Sequence, residues 1–428
     1  MRNYLPLLFF IVFLLVVDLY AFKSLRLIMS DWTKNYWRLT IQIVYWVISI
    51  GLYVALFYAM TTYRQAQANL DYYFFFMGFG VLLMFFMPKL IAAIFHLTDD
   101  IIHLLRRITA FFVRSFEPTE TATSSTSGIS RWQFISRIGW VLAALPFFGI
   151  LYGIWRGRYR FRTEKVELGF NNLPKSFNGF KIVHLSDIHI GSFFNNYDAV
   201  QKGVDLVNSL KPDLILFTGD MVNNYADEVK GWENVLGGLQ AKYGKYSVFG
   251  NHDYGDYVQW DSESEKEANL QRLAGYHRAM GFNLLTNDWT EFRNESGDAF
   301  EIIGMENWGM GGFSKYGDLR KATDGTDSSR FQVLMSHDPS HWDAEVMGKT
   351  EIDLTLAGHT HGMQFGVEIP GIIKWSPVKY RYPRWGGLYT EGRQHLYVNR
   401  GFGYIGFPGR VGMPPEITVI ELKSEVSS

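Results

Sequence analysis

The stretch KIVHLSDIH, residues 181–189, decides the fold of the second part of this 428-residue chain. Its first five residues form a short run with an apolar, β-branched centre, which is typical of a buried strand. Two side chains that can bind a metal, Asp187 and His189, follow directly where that strand ends. Because ligands bind beyond the carboxyl ends of strands in open α/β sheets, the stretch predicts a sheet that carries a functional site.

Similar short runs recur along the chain and alternate with helical patterns. Helical periodicity covers Asp198 to Leu210 and Asp261 to Met280. Strands that alternate with helices predict an α/β layer fold. The other predicted strands are Leu214 to Phe217, Ser247 to Phe249, Glu301 to Ile303, Gln332 to Met335, Asp353 to Leu356, Leu396 to Asn399 and Ile417 to Leu422.

Polar blocks follow five of these strands, and together they supply seven metal donors. The donors are Asp187, His189, Asp220, Asn251, His337, His359 and His361. In an extended segment residues i and i+2 share a face, so Asp187 can act with His189, and His359 with His361. Imidazole and carboxylate groups suit Mn, Fe or Zn, and one ion takes roughly four to six ligands. The set therefore predicts two divalent ions, with Asp220 as the bridge between them.

The charge of this predicted site indicates the class of ligand. Two divalent ions bring four positive charges, and the carboxylates of Asp187 and Asp220 neutralise two of them. The remaining positive charge favours an anion such as phosphate, and metal pairs typically clamp the oxygens of an in-line displacement. Gly219 and Gly250 are expected to let the backbone turn sharply beside the ions.

The order D-x-H, G-D, G-N-H-[DE], a later His and G-H-x-H resembles the calcineurin-like metallophosphoesterases, over roughly Phe180 to Glu421. The chain looks closest to the membrane-anchored bacterial subgroup that includes the YkuE-like and YaeI-like phosphodiesterases. The resemblance implies a four-layer αββα sandwich. It implies a first ion held by Asp187, His189, Asp220 and His361, and a second held by Asp220, Asn251, His337 and His359.

The resemblance also implies roles for residues that do not bind metal. His252 would contact the phosphate and protonate the leaving oxygen, Asp253 would orient the His252 ring, and hydroxide activated by the metals would be the nucleophile. Arg410, in a glycine-rich segment, is a candidate phosphate contact. His184 lies inside the first strand and is interpreted as a core residue, and His277 as a helix surface residue.

Four apolar runs precede this domain, each close to or above the roughly 20 residues that span a bilayer as a helix. They are Tyr4 to Phe22, Leu39 to Met60, Tyr72 to His96 and Phe134 to Trp155. The predicted domains are 1–115, with three transmembrane helices and a juxtamembrane amphipathic helix; 116–132, a flexible Ser/Thr-rich linker; 133–155, a fourth transmembrane helix; and 156–428, the catalytic domain. The segment Ile101 to Phe116 either lies on the membrane surface or continues the third span. Asp18, near the end of the first run, is interpreted as an interfacial carboxylate.

Positive charge in the short loops predicts the orientation. The loops after the first and third apolar runs carry four basic residues each: Lys23, Arg26, Lys34 and Arg38 in one, and Arg106, Arg107, Arg114 and Arg131 in the other. The loop after the second run carries only Arg64. By the positive-inside rule, the catalytic domain is expected outside the cytoplasm of a multi-pass protein of the bacterial inner membrane.

Composition limits the classes of function. The chain has 41 basic and 42 acidic residues and no cysteine. These counts exclude a polycationic nucleic-acid-coating protein, so no nucleic-acid partner is expected, and they exclude thiolate metal sites. The predicted function is hydrolysis of phosphodiesters or phosphomonoesters, with lipid-linked or cell-envelope phosphates as the favoured substrates and membrane lipids as partners. The alternatives are a nucleotide-lipid pyrophosphatase of the UDP-diacylglucosamine type, or a membrane sensor or transporter with a regulatory metal-binding domain. The oligomeric state stays open.

Overall fold

The computed structural model describes residues 5–62, 69–114, 131–369 and 371–425. The chain divides into two compact units. The first comprises Met1–Ala66 and Phe74–Tyr152, and the second comprises Gln67–Tyr73 and Gly153–Ser428.

Four helices form the first unit: α1 (Leu5–Ile28), α2 (Asn35–Thr62), α3 (Asn69–Arg114) and α4 (Arg131–Trp155). Within the described residues, three stretches are long and apolar enough to cross a membrane: Asn35–Tyr58, Phe74–Phe112 and Gln133–Tyr159. Helix α1 covers the first predicted span. Large apolar side chains such as Phe13, Val47, Leu104 and Phe148 are exposed on these helices. Lipid can cover such side chains, whereas water would not favour so many of them on one unit.

Two boundaries of the helical unit bear on the predicted domains. The predicted juxtamembrane helix at Ile101 to Phe116 is the C-terminal part of the single 46-residue helix α3, so it continues the third span as far as Arg114. Residues 116–130 of the predicted linker lie outside the described residues. Helix α4 begins at Arg131, within the last part of the segment predicted as linker.

Asp18 is buried and pairs with a lysine, and its interfacial position in a membrane stays a prediction. Its Oδ1 lies 2.7 Å from Lys89 Nζ on α3, and both side chains are nearly inaccessible. The hydroxyl of Tyr45 donates to the same oxygen at 2.7 Å. Lys89 also donates to Ser49 at 2.6 Å. Charged groups in an apolar unit require such partners, because an unpaired buried charge is strongly destabilising.

Two six-stranded sheets form the centre of the second unit. The first sheet has the order β1 (Arg162–Phe170), β14 (Glu416–Ser424), β2 (Lys181–Leu185), β3 (Leu214–Phe217), β4 (Lys245–Ser247) and β5 (Phe282–Leu284). The second has the order β12 (Gly387–Glu391), β13 (Gln394–Val398), β9 (Leu354–Ala357), β8 (Gln332–Met335), β7 (Ala299–Gly304) and β6 (Asp288–Arg293). A separate ribbon pairs β10 (Val367–Ile369) with β11 (Ile373–Trp375). Strands β2 to β5 pair in parallel, as do β7, β8 and β9, so their carboxyl ends lie along common edges.

Alternation along the strands builds four layers. Ile182 and Leu216 of the first sheet pack with Ile302 and Leu356 of the second in one buried cluster. The alternate residues of the first sheet, such as Val183 and Ile215, face outward. They lie in one buried cluster with residues of α5 (Tyr197–Ser209), α6 (Glu233–Gly237) and α7 (Glu263–Ala279). The outer face of the second sheet packs on α8 (Leu319–Ala322) and the buried Trp342. Since successive strand residues point to opposite faces, each sheet is covered on both sides, and the predicted αββα sandwich is confirmed.

Two interpretations of the α/β sequence were wrong. Strand β4 comprises Lys245–Ser247 and ends before Val248 and Phe249, which the sequence placed in it. His277 is fully buried rather than exposed, and its Nδ1 lies 2.9 Å from Ser247 Oγ. Burial lowers the pKa of His277 to about 3, so the ring is neutral in the core. His184, within β2, is buried as expected.

Candidate metal centre

Backbone hydrogen bonds between loops join the carboxyl ends of the central strands. The Asp187 N–H donates to the Gly219 carbonyl at 2.9 Å, and the His189 N–H donates to the Asp220 carbonyl at 3.0 Å. In the second sheet, the Gly358 N–H after β9 donates to the His337 carbonyl after β8 at 2.9 Å. Glycine allows this approach, because Gly219 has a φ of 94° and a side chain there would collide with the backbone at Gly250.

The first cluster of donors contains two histidines and two aspartates. His361 Nε2 lies 3.1 Å from Asp187 Oδ1 and 3.1 Å from His189 Nε2. His189 Nε2 lies 3.4 Å from Asp220 Oδ2. All four side chains are buried, so these atoms converge on one small volume away from bulk water. The set is the one that the resemblance implied for a first ion.

The second cluster begins at the same Asp220 oxygen. His337 Nε2 lies 3.2 Å from Asp220 Oδ2. The His337 ring centroid is 5.2 Å from that of His359, whose Nδ1 lies 2.7 Å from Asn251 Oδ1. The structure therefore brings all seven predicted donors together, and Asp220 lies between the two clusters.

Comparison with known proteins identifies the family of this chain. A family described as "Calcineurin-like phosphoesterase" matches residues 180–363, and "Probable Calcineurin-like phosphoesterase, transmembrane domain" matches residues 1–158. The chain is 32% identical over 304 residues to the uncharacterized metallophosphoesterase YkuE of Bacillus subtilis, covering 69% of this chain and 98% of the relative. The chain belongs to the calcineurin-like metallophosphoesterases.

A second relative spans the helical unit as well. A transmembrane protein with metallophosphoesterase domain from Danio rerio is 27% identical over 391 residues, which cover 90% of this chain and 80% of the relative. An uncharacterized metallophosphoesterase of Helicobacter pylori is 27% identical over 318 residues, covering 73% of this chain and 76% of that one. The matched transmembrane family, the Danio rerio relative and the three long apolar helices identify the chain as a membrane protein.

The histidine rings of this metallophosphoesterase are held so that the nitrogen facing the centre can bind a cation. His189 Nδ1 lies 3.1 Å from the Val222 carbonyl, and His337 Nδ1 lies 2.7 Å from the Thr218 carbonyl. A carbonyl only accepts, so each Nδ1 carries a proton and each Nε2 faces the donor set. His337 Nε2 has no hydrogen-bond partner among the described residues although it is buried. A divalent metal, the cofactor of the family, fits this orphaned nitrogen and the surrounding nitrogen and oxygen donors.

The electrostatics of the site point the same way. Burial lowers the pKa of His189 and of His361, which keeps both rings neutral as metal ligands must be. His337 is the exception: although burial opposes a charge, the carboxylate of Asp220 raises the pKa of this ring to about 10. A proton held at that position compensates Asp220 as a bound cation would. The neighbouring imidazoles likewise hold the pKa of Asp220 well below its usual range despite its burial.

His252 lies at the edge of the donor set. Its backbone N–H donates to Asp220 Oδ1 at 2.8 Å, and its ring centroid is 5.0 Å from that of His189. Its Nδ1 donates to the Asn223 carbonyl at 2.8 Å, which leaves Nε2 for a substrate. Burial lowers the pKa of His252 to about 4, so the ring is neutral before a substrate binds.

Asp253 does not orient that ring, contrary to the role implied by the resemblance. Its carboxylate accepts four backbone N–H groups at distances from 2.8 to 3.2 Å, and the ring nitrogen of His252 binds a carbonyl instead. The four donors are those of Asp220, Met221, Val222 and Gly250. Burial and the charge of Asp220 raise the pKa of Asp253 to about 7, and the donated N–H groups oppose that rise. The residue therefore fixes the backbone that carries the ligands.

Five of the seven predicted donors lie in left-handed backbone, and not in the extended segments that the i, i+2 spacing suggested. The φ angles are 53° at Asp187, 47° at His189, 60° at Asp220, 70° at His359 and 51° at His361. Non-glycine residues adopt this region at a cost of the order of 1–3 kcal/mol each, and such residues concentrate at functional sites. The chain turns sharply at each of these five residues, and the turns bring their side chains together.

Arg410 is buried behind the first cluster. Its guanidinium donates to the carbonyls of Gly403, Arg400 and Gly401 at 2.8, 2.9 and 3.1 Å, and its Nη2 lies 3.2 Å from His361 Nδ1. Burial lowers its pKa to about 9. These contacts favour support of the His361 ring, and a phosphate contact by Arg410 stays a prediction.

Sequence reasoning missed three residues that hold the ligands. The Tyr382 hydroxyl lies 2.8 Å from His359 Nε2, and Asn251 donates to the Tyr257 hydroxyl at 2.8 Å. Glu228 is buried and accepts backbone N–H groups from residues 223–225.

Proposed function

We propose that this protein hydrolyses phosphodiester or phosphomonoester bonds at a centre that holds two divalent cations, with Mn, Fe and Zn as candidates. The observation that carries the proposal is the position of Asp220 Oδ2, which lies 3.4 Å from His189 Nε2 and 3.2 Å from His337 Nε2. One carboxylate is thereby shared between two clusters, and each cluster supplies four donors when Asp220 is counted in both.

The residues of the chain divide the work of such a reaction. Asp187, His189, Asp220 and His361 would hold the first cation, and Asp220, Asn251, His337 and His359 the second. Cations held there would bind phosphate oxygens and make water a better nucleophile near neutral pH. His252, whose Nδ1–H is fixed on the Asn223 carbonyl, would contact the phosphate through Nε2. Because the free ring is neutral, Nε2 would first take a proton from solvent when the anionic substrate binds, and it would then give that proton to the leaving oxygen.

The helical unit supports a substrate that is close to a membrane. Lipid-linked or cell-envelope phosphate esters are the favoured substrates, because anchoring keeps the catalytic domain near a bilayer. Basic residues between the first and second apolar runs, and between the third and fourth, support a catalytic domain outside the cytoplasm of a bacterial inner membrane. A reporter that is active on only one side, fused after Ser428, tests this orientation. Reporter activity in the cytoplasm would refute it.

The catalytic proposal is tested with the purified full-length protein. Bound metal is quantified, and turnover of bis(p-nitrophenyl) phosphate and p-nitrophenyl phosphate is measured with Mn, Zn or Fe. Asp220→Ala and Asn251→Ala are expected to lose metal and turnover together, whereas His252→Ala is expected to lose turnover and keep metal. His395→Gln is the matched control, because this half-buried histidine contacts Thr390, far from the donors. Full activity in Asp220→Ala would overturn the proposal.

A further inference from the structure

A pocket of about 420 Å³ opens beside the metal centre and has no role in the chemistry described so far. Its walls include Trp308, Met310, Tyr382 and Arg381. Three segments build it: one between β7 and α8, one after β8 that includes Asp343, and one between β11 and β12. Flat aromatic walls with a few polar groups are typical of small-molecule sites.

Contacts through His359 connect the pocket to the donor set. The Tyr382 hydroxyl lies 2.8 Å from His359 Nε2, and the Phe313 ring packs edge-on against the His359 ring at 4.8 Å between centroids. The Arg381 guanidinium lies over both Phe313 and Tyr382, at 5.2 and 5.7 Å from their ring centroids. Tyr382 lies in the pocket wall and also contacts a metal donor, so a group that fills the pocket borders the second donor cluster.

The two arginines of the pocket differ in their partners. Arg384 is neutralised by Asp343 at 2.8 Å and by Glu391 at 3.3 Å. Arg381 is exposed and pairs with no carboxylate among the described residues, so its contacts are the two aromatic rings. Lys315, over the Trp308 ring at 4.0 Å, adds a second cation at the wall. An unneutralised guanidinium on an aromatic platform presents a planar fork of donors that matches a carboxylate or phosphate.

We propose that this pocket binds a second anionic group of the substrate, a phosphate, phosphonate or carboxylate on the substituent that is esterified to the scissile phosphate. The proposal rests on the proposed phosphoesterase function and names the class of ester that the site prefers. The aromatic walls contact the carbon skeleton of that substituent, and Arg381 binds its charge. Arg381 thereby determines specificity without touching the bond that breaks.

The test uses two matched diesters, p-nitrophenyl phenyl phosphate and the same compound with a phosphonate at the para position of the phenyl ring. The ratio of their kcat/KM values is measured for the full-length, metal-loaded protein and for Arg381→Met, which keeps an apolar stem and removes the charge. The wild type is expected to prefer the phosphonate compound by about tenfold, the size of one charge-assisted hydrogen-bond pair. Arg381→Met is expected to lower this ratio to about one.

The matched control is Arg278→Met, an exposed arginine on α7 that is expected to keep the wild-type ratio. Binding of 1,4-phenylene diphosphonate, measured by calorimetry against phenylphosphonate, gives a second readout and is expected to show the same tenfold preference and its loss in Arg381→Met. An equal ratio in the wild type and in Arg381→Met would overturn the inference while leaving the phosphoesterase function intact. Absence of turnover of both diesters in the wild type would instead overturn the proposed function, and this inference with it.

Discussion

The substitution Asp253→Asn separates two roles for this aspartate, bracing the backbone or orienting the catalytic histidine. Oδ2 accepts the N–H groups of Asp220 and Gly250, both at 2.9 Å, and Oδ1 accepts those of Met221 and Val222 at 2.8 and 3.2 Å. An asparagine offers one oxygen, so its NH₂ group must face two buried N–H donors. Each deprived donor costs about 1–3 kcal/mol, which gives a loss of about 2–6 kcal/mol in the free energy of unfolding.

The loss should be visible in melting and in metal content. At about 2–4 °C per kcal/mol for a domain of this size, the melting temperature should fall by roughly 10 °C. Since Asp220 sits on the affected backbone, bound metal should fall with it. The assay compares thermal unfolding, bound metal and turnover of bis(p-nitrophenyl) phosphate, with His252→Ala as the control that loses turnover alone. If Asp253→Asn melts like the wild type and keeps its metal while turnover falls, the bracing role is wrong.

Three further substitutions follow from buried contacts. Tyr382→Phe removes the hydroxyl next to His359 Nε2 and should weaken metal affinity by about 10–100-fold in a chelator competition, and an unchanged affinity would contradict the contact. Burial raises the pKa of Glu228 to about 7, so its stabilisation is present below the unfolded pKa near 4.5 and is lost as the pH rises through 7. Urea unfolding should therefore show the wild type losing on the order of 3 kcal/mol relative to Glu228→Gln between pH 4.5 and pH 8, whereas parallel pH profiles would argue against it. Asp18→Asn or Lys89→Met should each destabilise the helical unit by about 3–5 kcal/mol, and the double variant should lose less than the sum, with strict additivity in thermal melts as the refuting result.

The sequence predicted the parts of the site that depend on local signals. Each buried strand is a short apolar run, and its ligands follow within a few residues, so the fold and the seven donors could be assigned together. The end of β4 was misplaced because Val248 and Phe249 are buried and apolar without belonging to the strand. Burial and membership of a strand are separate properties, and only burial has a direct signal in hydrophobicity.

Contacts between distant residues were beyond the sequence. Asp18 on α1 pairs with Lys89 on α3, and the sequence around either residue does not indicate which residue its partner is. His277, interpreted from the sequence as a surface residue, shares a face of α7 with the buried Leu273 and Ala274, and its partner Ser247 comes from a separate strand. The left-handed backbone of the metal donors could not be predicted from the sequence for a related reason. Tertiary hydrogen bonds impose it on residues that would otherwise avoid it.

The loop after β3 shows how such hydrogen bonds build the centre. Two buried carboxylates accept six consecutive backbone N–H groups, those of residues 220–222 at Asp253 and those of residues 223–225 at Glu228. Fixing the N–H groups also fixes the carbonyls between them. The Val222 carbonyl then meets His189 Nδ1, and the Asn223 carbonyl meets His252 Nδ1. This one loop therefore fixes the proton on Nδ1 of both His189 and His252 and leaves Nε2 facing the centre. Displacing the loop should alter metal binding by His189 and proton transfer by His252 together.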